Sequence, residues 1–492
     1  MYCMSTVSNH CVRQAEAQCH LVFAPELSRE VAETKWGSYG LYMTSPDSLQ
    51  LFRLFQKIAP AWFFRELRQK HGSSFHDGIY SAAVVVWLMI WQRLQGTRSL
   101  SAAVQYLLQG GAKDLVSDCK RWTQDQVSAG TGSYCQARQK LPKLIAGEVM
   151  ERMVDQLRVE MQEGWEELKR PVFLVDGSSL QLQHVPELVE EFSPGGNQHG
   201  ENHWPVMRIV VFHDVFSGLA LRPNWGAMYG DTAVSEQALA EQALESLPAE
   251  AVVLGDGNFG IFAYAYAVQQ SRRPMILRLT QARAQKILGS QLVPGTDRRV
   301  VWRASRWDRG AHPQLPEEAS VEGRLIVCVN PSRPNELLYL FTTLGLPVEE
   351  VREIYKLRWN IETDLRSLKR TVGLHQLSSK SVDMVEKELL LAIAAYNLVR
   401  AVMCLAARRV NLTPRQLSFS FVQTVVEAAL PGLDNAASDE EYQQRLDRML
   451  RYAAQGKLPN RSRVRSYPRE VWGRGGHFPR RKRIVENGGQ KK

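Results

Sequence analysis

Two short apolar runs, each followed by an Asp-Gly pair, constrain the fold of this 492-residue chain more than any other feature. They read PVFLVDG at 171–177 and AVVLGDG at 251–257. Such runs are typical of buried strands that end in a turn, and either pair alone is ordinary turn chemistry. If both strands lie in one sheet, Asp176 and Asp256 come side by side. Because two close carboxylates repel each other, such a pair indicates a cation between them.

The region around these runs alternates between strand and helix patterns. WPVMRIVVFHD and GLALRPNWGAM predict a hairpin around the turn DVFSG. DTAVSEQALAEQALESL predicts a helix over 231–247 with Asp231 as its N-cap, and IFAYAYAVQQS and PMILRLT predict a further helix and strand. Residues 281–345 are β-rich, with strands in GRLIVCVN and ELLYLFTTL. The order predicts an α/β fold in which helices cover a mixed sheet.

One helical segment, EIYKLRWNIETDLRSLKR at 353–370, carries an unusual set of polar residues. At 100° per residue, Tyr355, Arg358, Glu362 and Lys369 fall in one stripe roughly 60° wide and about 20 Å long. Apolar residues lie beside the stripe, so the helix can bury one face and expose the other. The alternative interpretation is a solvated amphipathic helix held by salt bridges.

Asp176, Asp256 and Glu362 together form a set of hard oxygen donors. Such a set suits Mg²⁺ or Mn²⁺, and it can hold two ions that serve phosphodiester transfer. Tyr355, Arg358 and Lys369 would then extend a phosphate-binding track on either side of the third carboxylate, because an Arg guanidinium can grip a phosphate through two N–H groups.

The flanking regions differ from this central part. Residues 1–150 are predicted to be all-helical, and their short helices fit a helix-turn-helix DNA reader and a plain bundle equally well. We predict a catalytic domain at 165–405 that contains the β-rich insertion at about 281–345. Residues 406–492 are predicted to be a helical region followed by a basic tail.

Positive charge is concentrated at the end of the chain. The net charge is +10, and residues 451–492 hold 13 Lys/Arg against 2 acids, or +11, which leaves the other 450 residues near −1. Aromatic, Gly and Pro residues interleave with the cations, which favours an irregular strand that lies along nucleic-acid phosphates. A disordered solubilising tail is the alternative.

Composition places the chain among soluble intracellular proteins. It is 44% hydrophobic and 23% charged, and its start lacks the layout of a signal peptide. The longest apolar run, SAAVVVWLMIW at 81–91, is too short to cross a bilayer. We therefore predict a cytoplasmic protein with reduced cysteines and no membrane partner.

The helix matches the pattern Y-x₂-R-x₃-E-x₆-K at all four positions, and both Asp strands precede it. With SYCQARQKLP, LRWNIET, ELLLAIAAYNLVR and the Arg-rich end, this pattern resembles the DDE transposases of the insertion-sequence-four family over roughly 95–485. The resemblance implies a ribonuclease-H-like catalytic domain with a β-rich insertion and a homodimer that pairs two DNA ends. The implied substrates are double-stranded DNA with terminal inverted repeats and target DNA.

By the same resemblance, Asp176, Asp256 and Glu362 would be the catalytic and metal-binding triad. Tyr355, Arg358 and Lys369 would contact DNA near the cut. Members of the family stack a flipped base on a tryptophan of the insertion, for which Trp302 and Trp307 are the candidates here; simple packing is the alternative role for either.

Two rival functions keep part of this assignment. A non-transposing ribonuclease-H-like nuclease would retain the metal site and need no second DNA end. A non-catalytic DNA-binding regulator would use the carboxylates only for structure. The presence of all three acids and all three signature residues favours the transposase.

Overall fold

The computed structural model describes residues 55, 59–70, 78–96, 98–116, 120–161, 170–197, 200–330 and 333–459. All of these except Pro459 belong to one compact unit, Ser45–Leu458. The first 54 residues and the basic segment after 459 lie outside the described residues, so the roles predicted for them stay predictions. The domain boundaries near 150, 165 and 405 also stay predictions.

Helices and strands follow in the order below. The helices are α1 Ala61–Lys70, α2 Ala82–Leu94, α3 Leu100–Leu108, α4 Lys120–Thr123, α5 Gly132–Lys140, α6 Lys143–Glu160, α7 Pro186–Glu191, α8 Glu236–Ala243, α9 Phe262–Gln270, α10 Gln281–Leu288, α11 Arg306–Ala311, α12 Val348–Lys356, α13 Asn360–Arg366, α14 Val382–Arg408, α15 Phe419–Asp434 and α16 Asp439–Ala453. The strands are β1 Val172–Gln181, β2 Pro194–Asn197, β3 Gly200–Asp214, β4 Asn224–Ala227, β5 Val252–Gly255, β6 Met275–Arg278, β7 Asp297–Arg303, β8 Ser320–Asn330 and β9 Arg333–Thr342.

The nine strands form one mixed sheet, as the sequence predicts. Its order is β2-β3-β1-β5-β6-β9-β8-β7, and β4 pairs with β3. Strands β1, β5 and β6 are parallel, whereas β3 runs antiparallel to β1. The apolar runs of β1 and β5 are completely buried up to Val175 and Gly255, which explains why they lack an alternating pattern.

The β-rich segment between Asp256 and Glu362 extends this sheet. Strand β9 pairs antiparallel with β6, and β8 and β7 follow it as further antiparallel neighbours. The predicted insertion is therefore β-rich, and its hydrogen bonds join it directly to the central sheet.

Helix α14 is the central helix of the core. It begins after Ser381, whose hydroxyl accepts a hydrogen bond from the Met384 N–H, and it packs against α2, α6 and α15. By length and composition it could cross a membrane, but 94% of its most apolar window is buried inside the protein. It is apolar because it lies among other elements on all sides.

Two local predictions are wrong. The helix predicted from Asp231 begins instead at Glu236, with Ser235 as its N-cap, because the Ser235 hydroxyl accepts the Ala238 N–H. The segment predicted as one helix over 353–370 is divided: a 3₁₀ turn at Leu357–Trp359 follows α12, and a π-helical turn at Ser367–Thr371 follows α13. These turns change the rotation per residue within the segment, yet Arg358 still lies 3.7 Å from Glu362 and interacts with the phenol of Tyr355.

Candidate active site

Strand register brings Asp176 and Asp256 together. In the parallel pair β1–β5, Leu174 lies opposite Leu254, and both aspartates come two residues later. The prediction that both strands end at Asp-Gly is right for β5 and wrong for β1, which continues to Gln181 through its antiparallel pairing with β3. Asp176 therefore lies where β1 extends past its parallel neighbour.

Burial and neighbouring acids both perturb the pKa of Asp176. Burial raises the pKa of Asp176 to about 7, and the Asp256 and Glu236 carboxylates add like-charge repulsion. The Gly177 N–H, which donates to Asp176 Oδ1 at 2.8 Å, and the Arg358 guanidinium act against the rise. A nearby cation would stabilise the ionised form of a carboxyl group in this setting.

Glu236 is the fourth acid of the site, and the sequence reasoning did not identify it. It is the first residue of α8, which packs on β1 and β3. Its carboxylate accepts hydrogen bonds from the Gly177 backbone and from Asn258 Nδ2, the latter at 2.8 Å. Asn258 in turn donates its backbone N–H to Asp256 Oδ1 at 2.8 Å. Glu236 thus connects the chain beside Asp176 with the turn after Asp256.

A glycine makes room for this connection. A Cβ added at Gly177 would lie 2.2 Å from Glu236 Oε1, whereas one added at Gly257 would meet nothing within 4 Å. The two Asp-Gly pairs that look equivalent in sequence therefore have different requirements. The signal that could have revealed Glu236 is the sequence Ser235-Glu236, an N-cap followed by an acid at the start of a helix.

Arg358 connects the aspartate pair with the predicted third carboxylate. Its guanidinium lies 3.7 Å from Glu362 Oε1, is coupled to Asp176, and stacks over the Trp359 ring at 5.0 Å. The Glu362 side chain is 46% exposed. Arg358 therefore provides positive charge between acids contributed by β1 and by α13.

Tyr355 and Lys369 have different surroundings from Arg358. Tyr355 is only 5% exposed, and burial raises the pKa of its phenol, with Arg358 acting against the rise. Lys369 lies in the π-helical turn, where burial and the neighbouring Arg370 lower its pKa. The phenol thus lies beneath the surface beside Arg358, while Lys369 is half-buried.

A buried ion network fixes the helix that carries Glu362. Asp364, two residues further along α13, is completely buried. It pairs with Arg400 of α14 and, at 2.5 Å, with Arg415. Although burial opposes the shift, Arg415 and Arg400 hold the pKa of Asp364 below its usual range. Because Arg415 also donates to the carbonyls of residues 214 and 215 at 3.0 Å, the network joins α13 to the end of β3.

The donor set suits a hard divalent cation at the aspartate pair. Within the described residues, no group of three or more His, Cys, Asp or Glu side chains lies close enough together to hold a metal ion. Asp176 and Asp256 are nevertheless coupled, and the raised pKa of Asp176 is the strain that a bound cation would relieve. Glu362 is paired with Arg358 in this conformation.

The two tryptophan candidates lie in contrasting environments. Trp302 in β7 is 5% exposed and packs edge-on against Phe262 and Phe341. Trp307 in α11 is 85% exposed. Base stacking by either residue stays a prediction, and the exposed ring of Trp307 is the one that a base could reach without repacking the core.

Two comparisons with known proteins bear on the family to which this chain is similar. Residues 167–398 match the family model described as a transposase DDE domain, and that range contains Asp176, Asp256 and Glu362. A curated relative, the transposase InsG for insertion sequence element IS4 from Escherichia coli (strain K12), is 29% identical over 316 residues, which cover 62% of this chain and 68% of the relative.

These matches confirm the predicted fold class and the prediction that the chain is an enzyme. A transposase DDE domain has a ribonuclease-H-like fold, which agrees with the mixed sheet and its covering helices. Domains of this kind use divalent metal ions, and they cut and transfer DNA. The chain is therefore an enzyme with a transposase DDE domain, and it is similar to a transposase of insertion sequence element IS4.

Proposed function

We propose that this transposase cleaves DNA at the terminal inverted repeats of an insertion sequence and joins the freed ends to target DNA. The register that sets Asp176 beside Asp256 carries the proposal, because it creates a pair of carboxylates with a deficit of positive charge. Phosphodiester transfer needs such a pair to hold divalent cations against the scissile phosphate.

We assign Asp176, Asp256 and Glu362 as the residues that hold the metal, with Mg²⁺ or Mn²⁺ as the ion and two ions as the stoichiometry. Hard oxygen donors of this type suit both cations. When bound, the ions activate the attacking oxygen and stabilise the leaving oxygen. Glu362 is exposed enough to turn toward the aspartates once Arg358 has another partner.

Arg358 and Lys369 would bind DNA phosphates near the cut. A phosphate that accepts two hydrogen bonds from Arg358 would replace the 3.7 Å contact with Glu362 and free that carboxylate. Tyr355 would support Arg358 from below, since the two side chains are coupled and Tyr355 is buried. DNA binding and assembly of the metal site would therefore favour each other.

The partners follow from this chemistry. We propose double-stranded DNA with terminal inverted repeats as the first substrate and target DNA as the second. A homodimer that pairs two ends in a synaptic complex would perform the reaction in the bacterial cytoplasm, at the nucleoid. The related transposase of insertion sequence element IS4 supports the choice of an insertion sequence as the substrate.

A Mg²⁺-dependent assay on DNA that bears the element's terminal repeats tests the proposal. Asp176→Asn, Asp256→Asn and Glu362→Gln each remove one metal-binding charge while they keep the side-chain shape, so each should abolish cleavage and leave end binding largely intact. Asp231→Asn and Glu353→Gln are matched controls at acids outside the assigned triad, and both variants should cleave at the wild-type rate.

The same assay separates the rival functions. Cleavage without joining to target DNA would indicate a nuclease, and end binding with no cleavage by the wild-type protein would indicate a regulator. Cleavage at a near wild-type rate by any one of the three variants would remove that residue from the catalytic set.

A further inference from the structure

A polar cleft, separate from the carboxylate site, lies between the helical region and the segment that follows the catalytic helix. Its volume is about 420 Å³. Its walls come from the end of α2 and the following loop, from α5, and from residues 378–384. The polar residues that line it and carry the argument are Arg93, Arg98, Arg138, Lys380, Ser379 and Ser381. We call it the arginine–serine cleft.

Positive charge exceeds negative charge in this cleft. Glu388 is the single acid among its lining residues; it pairs with Arg138 at 2.8 Å and with Arg93 at 3.2 Å. Burial lowers the pKa of Arg93, and repulsion from Arg98 and Arg138 adds to the effect, while Glu388 opposes it. Burial also lowers the pKa of Arg98, while a second acid, Glu427, opposes this shift. With Lys380 included, four cations face two carboxylates, an arrangement that an anion would stabilise.

The serines add hydrogen-bond donors of the kind that phosphates accept. Ser381 caps α14 by accepting the Met384 N–H, and its hydroxyl proton is then available to another oxygen. Ser379 lies half-buried beside the exposed Lys380. Arg guanidinium, Lys ammonium and Ser hydroxyl groups are the side chains that most often bind phosphate oxygens of nucleic acids.

The cleft adjoins the segment that carries Lys369. Arg98 Nη2 donates to the Thr371 carbonyl at 3.1 Å, and Arg93 Nη1 donates to the Gly373 carbonyl at 3.2 Å. Thr371 is the last residue of the π-helical turn that contains Lys369 and Arg370. A DNA strand that leaves the carboxylate site along this turn would therefore reach the cleft next.

We propose that the arginine–serine cleft binds a backbone phosphate of the DNA, at a position separate from the reacting phosphodiester. This inference rests on the proposed function for the identity of the DNA. The chemistry recognised is a phosphate group, which a DNA backbone or free phosphate could supply, and the geometry beside Lys369 favours the backbone.

Phosphate-ethylation interference on the full-length protein and an end-bearing duplex tests the proposal. Lys380→Ala and Ser379→Ala change side chains at the rim, and Lys286→Ala removes an exposed lysine of α10 as the matched control. In the wild type and in Lys286→Ala, ethylation of one phosphate away from the cut should weaken binding. In the two cleft variants that position should lose its effect, and the slope of log K against log salt should become shallower by about 0.9 in Lys380→Ala.

The outcomes distinguish a DNA backbone from free phosphate, and they distinguish a failure of this proposal from a failure of the proposed function. Interference patterns and salt slopes that match the wild type in both cleft variants would overturn the proposal. Inorganic phosphate that raises the melting temperature of the wild type but not of Lys380→Ala, with unchanged interference, would overturn the DNA assignment in favour of free phosphate. Because interference measures binding without Mg²⁺, a failure of cleavage by the wild type would count against the proposed function alone.

Discussion

Replacing Gly177 with alanine should damage the active site without unfolding the protein. The new Cβ would lie 2.2 Å from Glu236 Oε1, whereas an ordinary contact begins near 3.4 Å, so the carboxylate must move by about 1.2 Å, the difference between these values. That movement breaks the hydrogen bond from Asn258 and weakens the one from the Gly177 N–H. Together these bonds contribute about 1–3 kcal/mol, and alanine returns about 0.5–1 kcal/mol because it favours a strand more than glycine does.

The effect on chemistry should be larger than the effect on stability. Asn258 orients the Asp256 carboxylate, so a displaced Glu236 releases one side of the aspartate pair. A misplacement of about 1 Å can reduce an enzyme's rate by roughly 10²-fold. We therefore expect slower cleavage and weaker Mn²⁺ binding in a calorimetric titration, with a denaturation midpoint close to that of the wild type.

Two further variants test whether Gly177→Ala acts through its contact with Glu236. Gly257→Ala adds the same methyl group to the other Asp-Gly pair, where a Cβ meets nothing within 4 Å, and it should behave as wild type. If Gly177→Ala acts through Glu236, then combining it with Glu236→Ala should add little to either single change. Wild-type cleavage and Mn²⁺ affinity in Gly177→Ala, or full additivity with Glu236→Ala, would refute the reasoning.

Three other predictions concern stability and DNA contact. Asp364→Asn leaves the buried Arg400 and the partly buried Arg415 without their carboxylate, and it should lower the free energy of unfolding in urea by about 3–5 kcal/mol. Asp447→Asn, in an exposed pair, should change this free energy by less than about 1 kcal/mol. Burial raises the pKa of Asp434 to about 6, so the native protein loses stability as pH rises from about 4 through 6. Asp434→Asn should lack that loss. A difference in the free energy of unfolding between the two proteins that stays constant across this range would contradict the shift. Trp302→Ala should cost about 3–5 kcal/mol of stability, while Trp307→Ala should leave the melting temperature unchanged and alter only DNA binding.

The sequence predicts the aspartate pair because its signal is local. Each Asp follows an apolar run long enough to be a buried strand, and neighbouring parallel strands in register place the residues that follow these runs at the same edge of a sheet. The continuation of β1 past Asp176 could not be predicted in the same way. It depends on pairing with β3, and a strand partner some 30 residues away leaves no mark on the five residues after Asp176.

The rest of the site depends on contacts between distant segments. Glu236 enters through the packing of α8 on β1, and the need for glycine at 177 exists only because that carboxylate lies against the strand. The turns at 357–359 and 367–371 change the helical phase by an amount that residue types do not encode. Ideal helix geometry therefore identifies which residues form the polar set, but it does not predict how exposed each of their side chains is.

Within one turn of α13, one acid anchors the helix to the core and another has an exposed side chain. Asp364 is completely buried and holds two arginines, while Glu362, two residues earlier, has a half-exposed side chain. Residues two apart on a helix point in different directions, so the buried pair can fix the backbone of the helix without restricting the Glu362 rotamer. The 3₁₀ turn before α13 and the π-helical turn after it allow the geometry of this short segment to differ from that of the flanking helices. A carboxylate that must exchange an arginine for a metal ion needs such an arrangement, because its backbone has to stay in place while its side chain changes partner.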